Sequence, residues 1–279
     1  MNPIPGLPSF HVQSRDGTRI AVFSGGSGPG TPVLLVHGTG SDHTTWRVVA
    51  PLLAAGRPVH AMDRRGRGAS IEGDAPYAAA REAEDIAAVS ESLADRHGAP
   101  IRVVGHSLGG RLALAAAPRT AAIAGIVAYE SAPGVRDAAE DEHDERLLVD
   151  LQADLARGDR GAVLERFMRD AVQMPDDELA AFRASDLWST RAATAPQIVR
   201  ELDAALHDPA IGIGALAGVT VPVLQLTGSA TALPFRLGVL TLDRRLANGS
   251  VEVIDGARHA AHHSHPAEFV AAVERFLSR

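Results

Sequence analysis

The stretch VVGHSLGG, residues 103–110, ends an apolar run on a serine set between glycines, and the reading of this turn decides the fold. The spacing G-x-S-x-G carries little alone, because the chain holds 27 glycines in 279 residues. The flanks carry more. IRVVGH (101–106) reads as a buried strand and residues 108–117 as a helix, so Ser107 falls in a sharp strand-to-helix turn. Gly105 and Gly109 suit such a turn, since closely passing backbone leaves no room for a β-carbon. A serine there projects its hydroxyl at the C-terminal edge of a sheet, where α/β sheets place their ligands. The plainer reading is a serine that only caps a helix.

Outward from this turn, strands and helices alternate. FHVQS (10–14) and RIAVFSG (19–25) are predicted to pair as a hairpin around Asp16-Gly17. PVLLVHG (32–38) is a continuous apolar run of the kind buried on both faces of a parallel sheet. A helix near 44–55, a strand at PVHAMDR (58–64) and a helix over 78–97, closed by Gly98 and Pro100, follow. IAGIVAYE (123–130) is the next strand, and the alternation predicts a doubly wound, mostly parallel sheet. From 135 to 215 the strand signals stop, leaving helical segments such as DERLLVDLQADLA (144–156), AVLERFMRDAV (162–172) and DDELAAFRASDLW (176–188). This stretch is expected to form a helical cap over the sheet edge, with Phe167, Phe182 and Trp188 giving apolar surface to core or pocket. Residues 1–134 and 216–279 are then the core, with strands at PVLQLTG (222–228) and SVEVIDG (250–256) and a closing helix at 266–277.

Composition narrows the partners. A net charge of -7 argues against nucleic acid or an anionic membrane. The absence of cysteine excludes disulfides, thiolate chemistry and Cys-ligated metal. MNPIPGLPSF lacks the basic and apolar regions of a secretory signal, and no apolar run is long enough for a membrane span. The expectation is a cytoplasmic protein with a small-molecule substrate; its oligomeric state is not legible.

A serine hydroxyl needs a base to take its proton. Of twelve histidines, His259 is favoured, because the loop DGARHAAHHSHP (255–266) leaves a strand at the C-terminal edge. His259, His262, His263 and His265 also admit a metal-site reading, though they lack H-E-x-x-H spacing and a fixed carboxylate. Charge developing on a carbonyl oxygen needs fixed donors: the N–H of Leu108, next after the serine, and the N–H of Thr39 in HGTG (37–40). DRRGRGAS (63–70) and SGGSGPG (24–30) lack the G-K-[ST] ending of a phosphate loop. They read as a structural turn and a hairpin loop.

Taken in order, LLVHGTG, DRRGRGAS, GHSLGG and DGARH resemble the α/β-hydrolase superfamily over almost the whole chain, with 135–215 in the position of its cap. The resemblance implies the chain order nucleophile, acid, histidine, hence Ser107 as nucleophile and His259 as base. The acid departs from the usual pattern. TGSATALP (227–234), where the family usually carries Asp, has no carboxylate. Some members place the acid at the end of the strand after the nucleophile helix, and Glu130 stands there; Asp243 and Asp255 are weaker candidates. A serine at the elbow sets the chain apart from dehalogenases and epoxide hydrolases of this fold, which use Asp. The implied function is hydrolysis of an ester, thioester or lactone of a small, mainly apolar molecule, with no cofactor or metal. Two alternatives use the same fold: acyl transfer, cyclisation or C–C cleavage at the same residues, or a ligand-binding module with weak catalysis.

Overall fold

The computed structural model describes residues 9–74, 76–133 and 138–278. The start of the chain before residue 9 and the expected start of the inserted stretch at 135 lie outside the described residues. Eight strands form one sheet: β1 (Phe10–Gln13), β2 (Arg19–Gly25), β3 (Val33–Val36), β4 (Val59–Met62), β5 (Ile101–His106), β6 (Ile123–Tyr129), β7 (Val223–Gly228) and β8 (Gly249–Ile254). Their order is β1-β2-β4-β3-β5-β6-β7-β8. β2 pairs antiparallel with β1 and β4, and every other pairing is parallel.

The helices run α1 (Val49–Leu53), α2 (Ala79–His97), α3 (Leu108–Ala116), then an inserted set before the sheet resumes. That set is α4 (Ala138–Ala156), α5 (Arg160–Arg166), α6 (Asp176–Arg183), α7 (Leu187–Ala192), α8 (Ala195–His207) and α9 (Ile213–Leu216). α10 (Leu233–Asp243), α11 (Ala261–Ser264) and α12 (Pro266–Leu277) complete the chain.

Successive strand residues point to opposite faces, so each apolar strand feeds two cores. Leu34, Val36, Val103 and Ile126 join the core that holds Ile86 of α2 and Leu112 of α3. Leu35, Val104, Val127 and Tyr129 join the other, with Leu53 of α1 and Phe269 of α12. This two-sided burial explains the unbroken apolar runs in the parallel strands. Among the described residues no helix is long and apolar enough to cross a membrane.

One sequence expectation is corrected here. SGGSGPG (24–30) is not a hairpin loop, because β4 lies between β2 and β3. The chain leaves the sheet plane and returns against residues 54–57. A β-carbon on Gly26 would lie 2.3 Å from the Arg57 carbonyl, and one on Gly28 2.5 Å from the Gly56 carbonyl. The glycines serve close backbone passage.

The inserted helices hold a core of their own, built on Leu147, Leu151, Leu164, Phe167, Ile198 and Leu202, with Phe182 and Trp188 packed against it. They are tied to the sheet by buried charge. DRRGRGAS forms a turn whose arginines point inward. Arg64 lies 2.6 Å from Glu82 of α2 and 3.0 Å from Glu201 of α8, and Arg67 pairs with the same Glu201. These four side chains are at most 1% exposed. Arg111 of α3 adds hydrogen bonds to the carbonyls of Ile211 (2.6 Å) and Ala205 (2.9 Å).

Removing one member of such a buried set leaves charge without compensation, which costs about 3–5 kcal/mol. Glu201→Ala is therefore expected to lower the urea midpoint by that equivalent at an unchanged slope. A loss below 1 kcal/mol, on the order of an exposed pair, would show that Glu201 does not hold the insertion to the core.

Candidate active site

β5 ends in the turn anticipated around Ser107. A β-carbon on Gly105 would lie 2.3 Å from the Gly110 Cα, and one on Gly109 2.2 Å from the His37 carbonyl, so strand, turn and helix pass at backbone contact. Ser107 takes a positive φ of 51°. Strain of this kind, of order 1–3 kcal/mol, is held in place by surrounding structure. The Ser107 N–H donates to the Tyr129 carbonyl at 2.8 Å, which extends the β5–β6 ladder into the turn. The side chain makes no capping hydrogen bond to α3, as a simple helix-capping serine would. Its hydroxyl lines a cavity of about 550 Å³ instead.

The neighbouring strand repeats the device. β6 and β5 are in register, His106 opposite Tyr129, so the next residues, Ser107 and Glu130, leave the sheet side by side. Glu130 also has a positive φ, 47°. Its carboxylate is buried and fully used. Oε1 accepts from Thr227 Oγ1 (3.1 Å), the Gly228 N–H (2.8 Å) and Thr231 Oγ1 (2.5 Å). Oε2 lies 2.7 Å from His259 Nδ1. Burial opposes ionisation of Glu130, but the hydrogen bond and charge of His259, with the Gly228 and Thr231 donors, outweigh it and hold the carboxyl below its usual range. A carboxylate only accepts, so His259 carries a proton on Nδ1, and the tautomer of its neutral ring is the one with Nε2 as acceptor.

His259 itself sits on the loop after β8, and two buried side chains that the sequence reading did not single out hold that loop. His106 Nε2 lies 2.7 Å from the His259 carbonyl, and the Tyr129 hydroxyl donates to the Arg258 carbonyl. The carbonyl partner fixes the His106 tautomer as Nε2–H. Burial, then the charge of His259, holds the His106 ring well below the usual imidazole range, so it stays neutral. Finding these two needed the β5–β6 register.

Thr39 lines the same cavity as Ser107 and His259. The HGTG turn runs against the elbow, since a β-carbon on Gly38 would lie 3.1 Å from Ser107 Cβ. Neither the Thr39 nor the Leu108 N–H donates to an acceptor among the described residues. Two orphan donors beside a nucleophile-type turn suit a developing oxyanion. The late histidines part ways. His262 and His263 each place Nε2 3.2 Å from Thr45 Oγ1, while His265 pairs with Ser264. Asp255 accepts from Ser229 at the surface, and Asp243 closes α10; neither reaches His259.

The insertion adds apolar side chains to the cavity wall, including Phe167, Met168, Val172, Phe182 and Leu187. Trp188 is one layer back, edge-on to Phe182 with ring centroids 5.3 Å apart.

Comparison with known proteins identifies the family and the fold. The sequence model of the alpha/beta hydrolase family matches residues 33–273. A pimeloyl-[acyl-carrier protein] methyl ester esterase of Neisseria meningitidis serogroup B is 30% identical over 251 residues, covering 88% of this chain and 92% of its own. The crystal structure of an alpha/beta hydrolase from Sphaerobacter thermophilus superposes with a TM-score of 0.75 at 30% identity, over 93% of this chain and 99% of that one. An enol-lactonase from Burkholderia xenovorans LB400, 19% identical with a TM-score of 0.74 over 96% of this chain and 100% of its own, has the same fold.

The buried histidines set an acid limit on stability. His106 and His262 are held well below the usual 6.5, and His263 at about 4, first by burial in each case. The unfolded chain therefore binds these protons first. Stability is full above about pH 6.5 and falls as pH drops toward 4, by up to about 1.4 kcal/mol per pH unit for each ring. Urea midpoints from pH 8 to 5 check this; a midpoint flat across that range contradicts it.

Proposed function

The chain belongs to the α/β-hydrolase family, and from that premise we propose that it hydrolyses an ester, thioester or lactone through an acyl-enzyme on Ser107. The observation that carries this reading is the 2.7 Å contact between Glu130 Oε2 and His259 Nδ1. It keeps the Nδ1 proton on the Glu130 side, so that in the neutral ring Nε2 is the acceptor, in a cavity lined by both His259 and Ser107. Ser107 Oγ attacks the substrate carbonyl as Nε2 takes its proton. Glu130 keeps the imidazole in the required tautomer and stabilises the imidazolium that forms. The Leu108 and Thr39 N–H groups receive the oxyanion, and His259 returns the proton to the leaving group. Water, activated by the same imidazole, then releases the acyl group. Removing one oxyanion donor in such sites typically costs about two to three powers of ten in rate.

We assign helices α4–α9 as the cap. They bring phenylalanine, methionine and leucine to the cavity over Ser107, which favours an apolar substrate body and limits water at the reacting carbonyl. The esterase relative from Neisseria supports ester cleavage as the reaction class. The alternative of a binding module drew on the missing carboxylate after β7, and Glu130 on His259 takes that support away.

A fluorophosphonate probe tests the nucleophile. Wild-type protein is expected to label and Ser107→Ala to remain unlabelled; labelling that persists in Ser107→Ala overturns the assignment. Glu130→Gln is expected to keep the fold and lower kcat on a neutral ester by about two to four powers of ten, since the amide can hold the wrong imidazole tautomer. Near-wild-type turnover in Glu130→Gln would remove Glu130 from the mechanism.

A further inference from the structure

The cavity over Ser107 is lined by two unlike sets of side chains. Phe167, Phe182 and Leu187 of the insertion are apolar, while Ser41, Thr45, Arg47, His263 and, from the insertion itself, Arg191 are polar. Two guanidinium groups converge there on one residue. Arg47 Nη1 donates to the Thr44 carbonyl at 3.5 Å, and Arg191 Nη2 to the Thr44 hydroxyl at 3.0 Å.

The charges do not balance. Asp42 answers Arg191, with Oδ2 3.0 Å from Nη1. That contact lies off the hydrogen-bonding axis, so Nη1 is buried with no hydrogen bond made. Among the described lining residues Glu178 is the one carboxylate, and it stands 3.8 Å from Arg258, both side chains 53% exposed. Pairing these off leaves Arg47 without a carboxylate. The excess is felt next door, where burial first, and then the charges of Arg47 and Arg191, keep His263 neutral.

A positive corner in a cavity with apolar walls favours a ligand with an apolar body and an anion at its far end. We propose that Arg47 and Arg191 form an anion subsite that selects esters or lactones carrying a carboxylate away from the scissile bond. The proposal takes its ligand class from the hydrolase reading. A carboxylate fits a guanidinium fork through paired, charge-assisted hydrogen bonds, and no carboxylate among the described residues pairs with the Arg47 fork.

Calorimetry on Ser107→Ala reads binding apart from turnover. It compares half-methyl esters of straight-chain dicarboxylic acids with methyl alkanoates of the same length. The half-esters are expected to bind about tenfold tighter at low salt, which is about 1.4 kcal/mol, and the gap should narrow as salt is added. Arg47→Gln, placed in the Ser107→Ala background, should shrink the ratio, Arg47→Lys should keep most of it, and Arg47→Glu should invert it. Equal binding of the two series, or a preference that survives Arg47→Glu, overturns the subsite. Wild-type turnover of the same esters separates the two readings. Hydrolysis without a binding preference removes only the subsite, and a binding preference without hydrolysis removes only the hydrolase reading.

Discussion

Glu130 places a negative charge at the end of β6 where almost no water reaches, and a charge in that position must be surrounded by donors. The surrounding structure is arranged around that demand. The end of β7 contributes Thr227, Gly228 and Thr231, and the loop after β8 contributes His259. With Oε1 occupied by three donors, Oε2 has one direction left to point, and that direction fixes the imidazole. The usual home of the acid has thus become its hydrogen-bonding cradle. TGSAT supplies hydroxyls and an N–H to a carboxylate that arrives from the neighbouring strand.

Much of this was legible as pattern. The glycines around Ser107, the late histidine loop and the carboxylate closing VAYE are local features, and local features survive in a linear reading. What stayed hidden depends on which strands become neighbours. SGGSGPG reads as a hairpin loop until β4 is known to separate β2 from β3. DRRGRGAS reads only as a structural turn, and the task of its three arginines is hidden until Glu82, Asp85 and Glu201, distant in sequence, are brought against them. His106 and Tyr129 carry no signal of their own, because their shared task follows from register and from a loop more than a hundred residues away.

The insertion illustrates how attachment and variation are divided. Buried ion pairs on α8 and carbonyls accepting from Arg111 fasten one side of it to the sheet. Its other side meets the cavity largely through apolar side chains, with Arg191, bonded to Thr44 and paired with Asp42, as a polar exception. Residues on that side can change shape and size at modest cost, whereas a change at Glu201 strands charge. Attachment to the sheet and the lining of the cavity therefore rest on different faces of the same helices.

The anchoring of the His259 loop also orders events during synthesis. The acceptors for His106 and Tyr129 are the carbonyls of His259 and Arg258, the latter 129 positions beyond Tyr129. A nascent chain that has emerged only as far as β7 carries both turns and two donors for Glu130 Oε1, yet His106, Tyr129 and Glu130 Oε2 still lack their partners. Domains form from the N-terminus as the ribosome extends them, and contacts of this span close late. Docking of β8 and the loop that follows it is therefore the step that gives His106, Tyr129 and Glu130 Oε2 their last partners.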